Sequence, residues 1–138
     1  MPVYARMPVL IVDDYRAMSR TLRRILRELG FTTIDDATDG AVALQMLRAA
    51  SYDLIISDLK MSPMSGLELL QEVRSDQRLK ATPFVMVTAF GDADQVFAAK
   101  QAGVSGYVVK PFTTDTVHRI VVSALGADSD QRSRSAAH

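Results

Sequence analysis

The chain has 138 residues, 48% of them apolar, enough for one compact domain with a real core and too many for a wholly disordered chain. Lysine plus arginine balances aspartate plus glutamate at 16 each, so no general electrostatic pull toward nucleic acid or an anionic membrane is expected. The absence of cysteine excludes disulfides and thiolate metal sites.

In chain order, Met1 to Met7 carries one arginine and no long apolar run, unlike a secretory signal, and reads as an N-terminal extension. Val9-Leu10-Ile11-Val12 has the β-branched, apolar character of a strand buried on both faces. Met18, Leu22, Ile25, Leu26 and Leu29 then recur at helical spacing, with Arg16, Arg20, Arg23, Arg24 and Arg27 on the remaining face and Gly30 as the stop. Thr33 to Ala37 reads as a weaker strand, and Ala41 to Ala50 as a helix of good formers. Leu54 to Ser57 is a third strand, Gly66 to Arg74 a helix, Phe84 to Thr88 a fourth strand, and Asp92 to Ala102 a helix ending at Gly103. Gly106 to Val109 is a fifth strand, and Thr113 to Leu125 a last helix with Val117, Ile120, Val121, Ala124 and Leu125 inward. Residues 127–138 lack periodicity and are expected to be a mobile tail. No later stretch is long and apolar enough to span a bilayer, so a soluble cytoplasmic protein is expected.

Strand–helix alternation repeated five times predicts an α/β fold with parallel strands, right-handed crossovers and helices on both faces. Such a doubly wound sheet places ligands beyond the carboxyl ends of its strands. There the first strand ends in Asp13-Asp14, the third in Asp58, the fourth in Thr88-Ala89 and the fifth in Lys110-Pro111. Clustered carboxylates repel one another unless a cation sits among them, and Mg²⁺ suits a partly hydrated site with few carboxylates. Lys110 and Thr88 suit an anion, such as a transferring phosphoryl group, which mainly needs positioning and charge stabilisation. A carboxylate can be the nucleophile, and Asp58, alone on a middle strand, is the candidate. Singly, each residue has a plainer role: Asp13-Asp14 as a turn or cap, Lys110-Pro111 as a helix entry, Thr88 as a β-former, Asp58 as a solvated carboxylate. What argues for a site is their placement at the ends of successive strands.

These motifs resemble the receiver domains of two-component signalling, especially the stand-alone CheY-like chemotaxis regulators. The residues carrying the resemblance are Val9-Leu10-Ile11-Val12-Asp13-Asp14, Leu54-Ile55-Ile56-Ser57-Asp58 with Met61 and Met64-Ser65-Gly66, Val87-Thr88-Ala89, and Gly106-Tyr107-Val108-Val109-Lys110-Pro111-Phe112. It covers residues 8–126, taken as the receiver domain, and implies the flavodoxin-like strand order 2-1-3-4-5 with five helices. It further implies that Asp58 is the phosphoacceptor and that Asp13, Asp14, Asp58 and the backbone carbonyl of Lys60 hold Mg²⁺. Thr88, Ala89 and Lys110 would bind the phosphoryl group, and Thr88 and Tyr107 would form the switch. Without the resemblance, Tyr107 reads as a half-buried strand aromatic.

The sequence departs from the family pattern at Ser62, where proline is usual, with Pro63 following, and at Ser65, where aspartate is common; these bear on loop geometry more than on chemistry. Lys60 and Phe90 stand two residues past Asp58 and Thr88. In one reading Phe90 shields the aspartyl phosphate from water and Lys60 adds a cation; in the other both swing out to solvent.

The expected partners are a histidine kinase or histidine phosphotransfer protein, docking at the first helix and acidic loops, and an output protein such as a flagellar motor switch component. The output face spans Asp92 to Leu125, with Phe97, Lys100, Gln101, Tyr107, His118 and Arg119. No nucleic acid or membrane partner is expected, and a monomer is. The protein would be a phosphoacceptor that promotes only its own phosphorylation and dephosphorylation. A phosphorelay shuttle or phosphate sink, a phosphate-independent adaptor and a receiver cut from a longer regulator stay open. Enzymes on similar layouts fit less well: there is no Ser/Thr/Gly-rich flavin cradle and no P-loop, and Lys60 stands where an aspartate-nucleophile phosphatase needs a second carboxylate.

Overall fold

The computed structural model describes residues 3–136, with side chains from Tyr4 to Gly126. After a 3-10 turn at Val3–Arg6 the elements are β1 (Val9–Val12), α1 (Arg16–Leu29), β2 (Ile34–Ala37), α2 (Gly40–Ala49), β3 (Leu54–Asp58) and α3 (Gly66–Ser75). β4 (Phe84–Ala89), α4 (Ala93–Gln101), β5 (Gly106–Lys110) and α5 (Thr114–Ala136) complete the chain. All strand pairings are parallel, and the order is β2-β1-β3-β4-β5. The chain thus starts near one side of the sheet and reverses direction between β1 and β3, which opens a crevice at their carboxyl ends.

The alternation of each strand divides its apolar residues between two cores. Val9, Ile11, Ile56, Val85, Val87 and Val108 face α1 and α5, meeting Leu22, Ile25, Leu26, Val117 and Val121. Leu10, Val12, Ile55, Phe84 and Met86 face the other way, onto Leu44, Leu47, Leu69, Leu70 and Ala99 of α2, α3 and α4. β2 departs from this pattern because it is an edge: only Ile34 and Ala37 are buried, and Asp35 and Asp36 point to solvent. Asp36 pairs with Arg23 of α1, and Asp35 accepts a 2.6 Å hydrogen bond from the Tyr52 hydroxyl. Arg23 is therefore a structural residue within the arginine face.

Helix ends are set by identifiable residues. Gly30, at φ 110°, closes α1 in the left-handed conformation that glycine adopts without strain. Asp39 caps α2, accepting from the amides of Ala41 and Val42. Ser65, the departure noted above, has a local purpose: with Glu68 it forms a reciprocal capping box at the start of α3. Arg74, near the end of α3, donates to the carbonyls of Gly103, Lys80 and Thr82, tying the α3–β4 and α4–β5 connections together.

One feature differs from the expected outline: the backbone of α5 continues past Leu125 to Ala136, where a tail is expected; residues 137–138 lie outside the described range. The N-terminal extension packs onto the domain. Tyr4 stacks on Phe31 at 4.8 Å between ring centroids and 17° between planes, and Thr32 Oγ1 donates to the Ala5 carbonyl at 3.0 Å. Phe31 is fully buried, so Tyr4 covers one end of the α1 core. Tyr4→Ala is expected to lower unfolding stability by about 1–3 kcal/mol, the loss of a packed aromatic pair, read as a shift of the urea midpoint at unchanged slope.

Candidate functional site

The strand register assembles the site. Asp58 is the last residue of β3 and lies opposite Val87, while Thr88 and Ala89 of β4 pair with Val109 and Lys110 of β5. Asp13 follows β1 directly, and its amide donates to the Ala37 carbonyl of β2 at 3.0 Å. Parallel pairing therefore brings the sequence-predicted residues of four strands to one rim.

Asp13, Asp14 and Asp58 each offer a carboxylate oxygen, all within 4.8 Å of one another. Asp58 Oδ1 accepts from the Leu59 amide at 2.9 Å and from Lys110 Nζ at 3.3 Å. Its Oδ2 has no hydrogen bond among the described residues. Asp13 is 5% exposed; its Oδ1 accepts from the Tyr15 amide at 2.9 Å, while Oδ2 is buried with no partner. Burial pushes the Asp13 carboxyl up to about 6, opposed by the Tyr15 N–H, with Asp58 raising it, Lys110 lowering it and Asp14 raising it further. One ammonium group thus faces three carboxylates. A buried orphan oxygen, an all-oxygen donor set and an excess of negative charge fit a hard divalent cation such as Mg²⁺.

Thr88 carries a second unpartnered polar atom at the rim: the residue is buried and its Oγ1 has no partner. Thr88 and Tyr107 line the same cavity, about 410 Å³, together with Phe90, Asp92, Val96 and Phe97. Tyr107 is half-buried, and Lys100 Nζ lies 5.1 Å from its ring centroid.

Other expected residues stand apart. Phe90 is 89% exposed, so it does not cover Asp58 here. Lys60 turns to Asp92, 3.3 Å away, rather than to the carboxylates. His118, placed with the output face, directs Nε2 to the Ile25 carbonyl of α1 at 3.3 Å.

Two contributors were not legible. A Cβ on Gly66 would lie 2.1 Å from the Asp58 carbonyl oxygen, and the Gly66 amide donates to Leu59 at 2.9 Å. The start of α3 thus presses on the backbone of Asp58, a close approach for which a glycine at a helix start is only a weak signal. Asp92 read as an ordinary helix-start aspartate, and its burial became visible only with α4 in place.

Comparison with known proteins agrees with this geometry. The family described as "Response regulator receiver domain" matches residues 9–122. Chemotaxis protein CheY of Pseudomonas aeruginosa is 49% identical over 111 residues, covering 80% of this chain and 90% of that protein. Chemotaxis protein CheY-3 of Vibrio cholerae is 44% identical over 111 residues, covering 80% and 85%. The solved structure of chemotaxis response regulator CheY4 of Vibrio cholerae superimposes with a TM-score of 0.79 at 32% identity, covering 86% of this chain and 98% of that one.

The raised Asp13 carboxyl has a signed consequence. Its ionisation opposes folding, so the metal-free protein loses stability as pH rises from about 4, the unfolded value, to about 6, the folded one, and the loss then levels off. Asp13→Asn is expected to abolish that part of the slope and to stabilise the metal-free protein at pH 7 by about 1–2 kcal/mol. Urea titrations of both proteins at several pH values, without divalent ions, check this; the same variant is expected to bind Mg²⁺ at least about tenfold more weakly.

Proposed function

The chain belongs to the response regulator receiver family, and on that premise we propose that Asp58 accepts a phosphoryl group from a phosphohistidine partner and that the α4-β5-α5 face reports the change. The observation that carries this reading is the setting of Asp58: a carboxylate oxygen within 4.8 Å of those of Asp13 and Asp14, and the Lys110 ammonium 3.3 Å away.

Asp58 attacks phosphorus through a carboxylate oxygen, Oδ2 being the one without a hydrogen bond. The P–N bond to the donor imidazole breaks and its electron pair goes to that ring nitrogen; the other ring nitrogen carries a proton, so the imidazole leaves neutral. Asp13, Asp14, Asp58 and the Lys60 carbonyl would hold Mg²⁺, whose charge offsets the phosphoryl oxygens in the transition state. Lys110 supplies a fixed cation to a phosphoryl oxygen, and the Thr88 hydroxyl, unpartnered at present, supplies a donor together with the Ala89 amide. Movement of Thr88 toward that group enlarges the cavity it shares with Tyr107, and the ring turns inward to fill it. The site event is small and electrostatic, and the element it biases is the aromatic on β5.

The similarity to chemotaxis proteins favours a motor-control output in a cytoplasmic two-component pathway. A phosphorelay shuttle or phosphate sink would use the same residues and differ in its partners. Among the described residues no helix is long and apolar enough to cross a membrane.

Incubation with acetyl phosphate and Mg²⁺ is expected to add one phosphoryl group to the intact mass of the wild type and none to Asp58→Asn. Lys110→Ala is expected to slow adduct formation at least about tenfold. Absence of a Mg²⁺-dependent adduct, with no transfer from any phosphohistidine donor, would move the protein to the phosphate-independent adaptor reading.

A further inference from the structure

An ion pair outside the strand-end set ties Lys60, two residues after Asp58, to Asp92. Lys60 Nζ lies 3.3 Å from Asp92 Oδ1, joining the loop after β3 to the loop before α4. The two ends are unequally placed: the Lys60 side chain is 66% exposed, that of Asp92 only 14%. Asp92 Oδ2 is buried without a hydrogen-bond partner. Asp92 also occupies the N-cap position of α4, yet its side chain makes no cap hydrogen bond. An aspartate there ordinarily accepts from first-turn amides; this one is committed to Lys60 instead.

Lys60 meanwhile sits two residues after Asp58 and, with Asp14, lines a cleft of about 620 Å³ beside the carboxylates. We propose that Asp92 is a positioning residue that holds Lys60 away from Asp58 until phosphorylation, when the phosphoryl group takes Lys60 over and Asp92 turns to cap α4. The exchange rests on the reading of Asp58 as phosphoacceptor. A phosphoryl group brings close to two negative charges and three acceptor oxygens, against one charge on Asp92, so it competes well for a mobile ammonium. The released carboxylate is too withdrawn from water to stay unpaired, and the nearest compensation is the amide end of its own helix. Asp92 also lines the cavity shared by Thr88 and Tyr107, so a change at the first turn of α4 reaches the same element as the threonine.

Lys60 on the phosphoryl oxygens stabilises the phosphorylated form and stands in the cleft through which water would arrive. Phosphoryl lifetime therefore reads the exchange. After loading with acetyl phosphate and Mg²⁺ and removal of the donor, decay of the adduct is followed by intact mass. Asp92→Asn, which stops competing for Lys60, is expected to lengthen the lifetime about two- to fivefold, the range supported by an ion pair whose cation is exposed. Lys60→Ala is expected to shorten it, and the double variant to decay like Lys60→Ala alone. Asp92→Glu, which keeps the charge, is expected to restore a lifetime near wild type. A lifetime for Asp92→Asn within about 1.4-fold of wild type, or a double variant that keeps the lengthening, would overturn the exchange while leaving Asp58 as phosphoacceptor. No adduct on the wild type would overturn both.

Discussion

Electrostatic imbalance at the carboxyl end of the sheet is the constraint on which the rest of the molecule turns. Three carboxylates lie within 4.8 Å of one another, and among the described residues the Lys110 ammonium is the cation paired with them. Like charges at that separation repel strongly where water is scarce, and Asp13 is nearly out of water. The fold supports this arrangement because its two apolar cores, one on each face, hold the strands in register irrespective of what their ends carry. The cost is local, and in the proposed function it is put to use: a cation and then a phosphoryl group would each find a site already arranged for them.

The strand-end set was legible because it depends on periodicity. Once Leu54 to Ser57 reads as a buried strand, Asp58 is at its carboxyl end, and the same logic places Asp13, Thr88 and Lys110. Parallel topology then converts four separate positions along the chain into one rim. The family resemblance added the strand order, the phosphoacceptor assignment and the pairing of Thr88 with Tyr107.

What was not legible depends on side-chain direction and on contacts between loops. Phe90 and Lys60 closely follow the ends of β4 and β3, but spacing along a loop does not say which way a side chain leaves it. Phe90 went to solvent and Lys60 to Asp92. Arg23 looked like one more solvated arginine until β2 put Asp36 beside it. His118 looked like a surface residue of α5 until α1 packed against it. Tyr4 carried no pattern at all, since one aromatic in a short segment signals nothing before Phe31 is known to lie beneath it.

The contact between Gly66 and Asp58 bears on how variants of this protein would be interpreted. In a mutational scan scored by signalling, position 66 would be as intolerant as position 58, because even a methyl group collides with the Asp58 carbonyl. Yet Gly66 offers no side chain to donate, accept or ligate anything. Intolerance there would report a steric boundary of the site and not membership in its chemistry. Pairing each signalling score with the abundance of folded protein would separate a backbone boundary such as Gly66 from a carboxylate such as Asp58.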